Sequence, residues 1–235
     1  MTFSQTLKQI SNLTINLWQL QSNWIMLTAG LYGFSYLFAG NAANLMLLIA
    51  SLLQMALFVY WMKVGTKTGD FNAEAFAQVE QDWIRYIGIT IGSGLVFAII
   101  FLFSNIFILL GPPGWVLIGF IWFVILLLLE LYSPLVSVRA QGFSHAFSMT
   151  VALLRKLKNI RSLATSAFWY PALLALAVSF LDMLINPTGG LFSAIVGFAF
   201  AVLQIPWYAA AQLVLYKNIW AMVASREIAE GDAAE

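Results

Sequence analysis

The chain has 235 residues, of which 62% are hydrophobic and 9% charged, with a net charge of +1 and a mean hydropathy of +0.88. Soluble domains carry about 25% charged residues, so the excess apolar surface here has to face lipid. The small net charge excludes a global field that would gather nucleic acid, and the absence of cysteine excludes disulfides, thiol nucleophiles and thiolate metal sites.

In chain order, the opening "MTFSQTLKQISNL" has one lysine and no apolar core behind it, so it does not read as a signal peptide. "FSQTLKQISNLTINLWQLQ" instead reads as an amphipathic segment, 1–22. A spanning helix needs about 20 mainly apolar residues, and six stretches meet or approach that: 24–38, 45–62, 87–110, 115–131, 163–181 and 191–216. The first is the shortest and holds two glycines. Members of each pair are joined by breaker-rich turns, "AGNAAN" at 39–44, "GPPG" at 111–114 and "NPTGG" at 186–190.

These features predict an all-α polytopic membrane protein with six transmembrane helices arranged as three hairpins. The expected organisation is an amphipathic segment at 1–22, a transmembrane domain at 23–216 and a cytoplasmic tail at 217–235. An amphipathic segment precedes each hairpin: the N-terminal one, then "FNAEAFAQVEQDWIRY", then "FSHAFSMTVALLRKLKNI". The repeat lies in pattern rather than in residue identity, as in many membrane folds with internal repeats. All eleven Lys and Arg fall in the N-terminus, 63–86, 134–162 and the C-terminal segment. With six spans these share one side, which the positive-inside rule makes cytoplasmic. The opposite turns are short, so part of that asymmetry is an effect of length. Nine Trp and eight Tyr suit the two headgroup boundaries.

The third surface segment holds the only histidine. On a helical wheel Phe143, Ala146, Phe147, Thr150, Leu153, Leu154 and Leu157 share one face, while Ser144, His145, Ser148, Arg155, Lys156 and Asn159 share the other. Lys158 and Arg161 break the pattern where the chain turns into the fifth span. A helix of this kind lies in the interfacial plane, with His145, Arg155, Lys156, Lys158 and Arg161 as contacts for anionic headgroups or a partner. Nucleic-acid binding would need exposed aromatics among the cations, whereas these aromatics lie on the apolar face. For His145 a pH-sensing role is the chemical alternative to a headgroup contact. A metal site would need more ligands than one histidine supplies.

Two ionisable residues fall within or at the end of the expected spans. Glu130, in "LLLLELYSP", lies near the cytoplasmic end of span four, and Asp182, in "SFLDMLINP", near the outer end of span five. Intramembrane charges are functional candidates by default, but each of these has a structural alternative. Glu130 can pair with Arg139 or another base, and Asp182 can reach outer headgroup water or cap the following turn. Sitting at opposite ends of the bilayer, they do not form an acid–base pair. Pro171 and Pro206 fall inside spans five and six as helix kinks. "GITIG" at 88–92, and Ala29 with Gly33, are small-residue pairs that permit close helix contact. Neither a phosphate-cradling loop, HExxH nor GxSxG occurs, so no catalytic residues, cofactor or metal are expected.

Residues 108–163 carry a Pro-Gly turn (Pro113, Gly114), a long apolar span and Pro134 after it. Gly142 then precedes a helix with Ala146, Thr150, Leu153 and Arg155. This stretch resembles the YciC-like inner-membrane proteins of bacteria and the membrane domain attached to some glycerophosphoryl diester phosphodiesterases. Thr150 stands where serine is the commoner choice, and 138–141 lacks the acidic residue often found there. The resemblance implies a six-helix membrane module with interfacial helices and no catalytic residues, in a bacterial inner membrane. The soluble phosphodiesterase barrel is absent from this sequence, so that activity does not carry over. The functional expectation is a non-enzymatic module packing against lipids, other membrane subunits or its own copies. The alternatives are a small transporter component and, least favoured, a lipid-acting enzyme.

Overall fold

A computed structural model describes residues 2–38, 40–78, 105–114, 116–121, 169–174 and 190–232, together with positions 99, 103, 144, 145, 148, 152 and 177. Helix α1, Phe3–Ser35, starts at a capping box in which Thr2 accepts from the Gln5 amide and the Gln5 side chain answers the Thr2 amide. It breaks at Gln21, whose φ of −128° and ψ of 20° leave the helical region. Residues before the break cover most of the stretch expected to be amphipathic. Residues 22–35 make about 21 Å of helix, short of the roughly 30 Å hydrocarbon core, and the expected span to 38 is completed by a turn rather than by helix.

Helix α2, Asn41–Thr68, leads to the short helix α3, Ala73–Gln78. A 3₁₀ turn, Asn105–Leu110, is followed by an apolar helix α4, Pro112–Ile121. The "GPPG" breaker is thus partly helical: its prolines open α4, where a missing amide hydrogen costs nothing. Helix α5 runs Leu191–Asp232 and continues through Pro206 and past Tyr216. Among the described residues there is no strand, and the fold is all-α.

Side-chain contacts fix the directions of the three long helices. Phe58 packs on Tyr208, Gly65 lies against Leu213 and Gly69 against Lys217, so α2 and α5 run parallel. Tyr32 meets Ser51 and Gln54 while Asn16 meets Asp70, so α1 is antiparallel to α2. At the far end the Gly190 amide donates to the Tyr36 carbonyl at 3.1 Å, which ties the hairpin tip to the start of α5. The N-terminal half of α1 reaches from Asp70 to Tyr170, whose ring meets Phe3 edge-on at 5.4 Å.

The buried core combines Ile10, Leu13 and Leu17 from the first half of α1 with Trp61, Met62 and Val64 of α2 and Ala209–Ala211 of α5. The expected surface helix therefore lays its apolar stripe on protein, and its other face still exposes Phe3, Leu7 and Ile15. Two helices among the described residues are long and apolar enough to cross a membrane, Asn41–Thr68 and Leu191–Ile219. Only 24% and 28% of their apolar windows are buried, which is little for core helices of a water-soluble protein. Hydroxyls in the helices bond back onto their own backbone: Thr14 to Ile10, Thr28 to Trp24 and Thr66 to Met62, at 2.7–2.8 Å. That satisfies them without water.

Candidate functional site

At the C-terminal end of α2 the chain must turn sharply, and it does so at Gly69, whose φ of +82° favours glycine. The Gly69 amide closes the helix on the Gly65 carbonyl at 2.8 Å. The Thr68 hydroxyl donates to the Asp70 carbonyl at 2.8 Å. Asp70 Oδ1 accepts from the Phe71 amide at 2.7 Å and from Asn16 Nδ2 at 3.3 Å. Phe71, 1% exposed, anchors the loop in the core.

Opposite this loop stands Lys217, half-buried on α5. Its ammonium donates to the Gly69 carbonyl, with Asp70 supplying the countercharge. A cation at the carbonyl end of a helix is favoured by the helix dipole, which gives Lys217 a reason to sit at the α2 terminus. Gln9, Asn12 and Asn16 share a face of α1, being spaced three and four apart. With Gly69, Asp70 and Lys217 they line an open cleft of about 370 Å³. Among the described residues the Gln9 and Asn12 amides have no hydrogen-bond partner. The cleft therefore carries one cation, one carboxylate and three side-chain amides at the C-terminal end of α2.

Two further polar features lie deeper. The Tyr32 hydroxyl donates to Gln54 Oε1 at 2.6 Å and lies 3.3 Å from the Ser51 hydroxyl, joining α1 to α2. Among the described residues, Gln212 is fully buried with no partner for either side-chain polar atom, and Trp61 Nε1 likewise has none.

The expected site residues fall as follows. Glu130, Asp182, Arg155, Lys156, Lys158, Arg161 and the 88–92 pair lie outside the described residues. His145 is helical and exposed, as are Ser144 and Ser148, and its carbonyl accepts from the Ser148 hydroxyl at 2.9 Å. Pro171 and Pro206 are buried in helical segments, and Trp207 Nε1 reaches the Leu174 carbonyl at 3.3 Å, joining those segments. The small-residue pair of Ala29 and Gly33 is a close contact: a Cβ on Gly33 would come within 2.9 Å of the Ala194 carbonyl and the Phe198 Cβ.

Sequence reasoning did not single out Asn16, Asp70 or Lys217. One signal was available, the polar spacing of Gln9, Asn12 and Asn16 set against Ile10, Leu13 and Leu17. Among the described residues no three His, Asp or Glu side chains gather to hold a metal. Compared with protein-family models, with curated proteins and with solved structures, the chain matches none.

Proposed function

We propose that this chain is a non-enzymatic, multi-pass membrane module whose work is packing, against lipids and against other membrane subunits or its own copies. The reading places six spans as three hairpins in a bacterial inner membrane, with both ends and the cationic connections on the cytoplasmic side. The observation that carries it is the pair of long apolar helices whose hydrophobic windows stay mostly uncovered by the chain itself. Parity supports the count, because α2 and α5 run parallel and so require an odd number of crossings between them, as three would be. The first half of α1 lies on the same end as the C-terminal part of α5, in keeping with ends that share a side. Likeness over 108–163 to the YciC-like proteins points the same way, though most of that stretch lies outside the described residues.

Because the sequence has no cysteine, Lys156→Cys creates a single reactive thiol. In spheroplasts a membrane-impermeant maleimide is expected to label it only after permeabilisation, and labelling of intact spheroplasts would overturn the topology. Mild-detergent purification is expected to return the chain with another polypeptide or as an oligomer. A lipid-free monomer in every preparation would overturn the packing role.

A further inference from the structure

The cleft at the end of the bundle has a charge pattern that selects its ligand. Lys217 retains donor capacity beyond its bond to the Gly69 carbonyl, and one oxygen of Asp70 is not engaged by Phe71 or Asn16. A ligand with only negative charge would meet Asp70, and one with only positive charge would meet Lys217. A zwitterion whose two ends carry opposite charge satisfies both. The amides of Gln9 and Asn12 add donors and acceptors, and the volume of about 370 Å³ lies at the small end of ligand-holding clefts, roughly 300–1,000 Å³.

Position argues for a lipid as the source. Gly69 directly follows the apolar helix α2, Lys217 lies two residues before Ile219, where the apolar part of α5 ends, and exposed Ile15 lines the cleft. We infer that this cleft holds the phosphoethanolamine headgroup of an aminophospholipid, its phosphate on Lys217 and the Asn12 and Gln9 amides, its ammonium on Asp70. The inference rests on the membrane reading above. A primary ammonium can donate hydrogen bonds to a carboxylate, whereas a trimethylated ammonium cannot, so Asp70 should separate ethanolamine from choline lipids. A charge-assisted bond of this kind corresponds to about tenfold in affinity or more.

The test is native mass spectrometry of the full chain released from vesicles containing equal amounts of phosphatidylethanolamine, phosphatidylcholine and phosphatidylglycerol. The wild type is expected to retain the ethanolamine lipid about tenfold over each of the others. Asp70→Asn should bring ethanolamine and choline lipids to parity. Asn12→Ala, at an exposed position of α1, should lower ethanolamine-lipid retention while leaving the helical circular dichroism unchanged. Competition by soluble phosphoethanolamine that strips the lipid at equal concentration would mark a free zwitterion as the ligand and overturn the lipid assignment. Retention of the three lipids in proportion to supply, or an unchanged preference in Asp70→Asn, would overturn the site. Failure of the chain to enter vesicles at all would instead overturn the membrane reading.

Discussion

The two ends of the contact between α1 and α5 are built on opposite principles. At one end Gly33 and Gly197 let backbone and ring approach so closely that an added Cβ would lie 2.9 Å from the Ala194 carbonyl and 2.4 Å from the Tyr36 ring. At the other end the helices hold a cleft open, and the elements meet through Lys217 on a carbonyl and Asn16 on a carboxylate. In lipid, apolar side chains gain little by leaving the solvent, so close van der Waals approach supplies the adhesion at the first end. At the cleft polar bonds compete with water, and shape and charge complementarity matter more than contact area. One end of the bundle is thus a fastener and the other, on the reading proposed above, a receptor.

The largest effect expected from disturbing this contrast is at the fastener. Gly33→Leu has to push α5 away through backbone contacts, and overpacking of this kind costs about 3 kcal/mol. Thermal denaturation in mild detergent should show it as a marked loss of the folded form, and an unchanged midpoint would mean the two helices are not in contact there. One and a half turns before the cleft, Gln212 is buried without partners among the described residues. Gln212→Leu keeps the volume and removes the unpaired amide, so it should raise stability by about 2 kcal/mol in the same measurement. A fall in stability would show that the amide is hydrogen-bonded in the folded protein. The smallest effect is at the receptor's rim. Gly69→Ala forces a side chain into a left-handed backbone, at about 1–2 kcal/mol, and should weaken ethanolamine-lipid retention by displacing the carbonyl that Lys217 holds.

Much of the helical content was legible in the sequence because apolar runs of spanning length have few alternatives. The stretches at 45–62 and 191–216 lie within helices Asn41–Thr68 and Leu191–Asp232. The first span was read as longer than its helix: α1 breaks at Gln21, ahead of the span, and stops at Ser35. The contact of Ala29 and Gly33 was visible as a small-residue pair, since only small residues permit such approach. The cleft was not visible as a unit, because its parts lie 54 and 148 residues apart along the chain, from Asn16 to Asp70 and from Gly69 to Lys217. Composition identified eleven cations without saying that Lys217 would turn inward.

By itself, then, the order of residues determined that long helices form and that their surfaces suit lipid, because hydrophobic length and periodicity are properties of contiguous chain. Tertiary structure alone decided that α2 and α5 run parallel, that the stripe of the first helix packs on protein, and that a lysine and an aspartate face one cleft. Those outcomes depend on which side chains meet across helices, and a one-dimensional pattern does not contain that information.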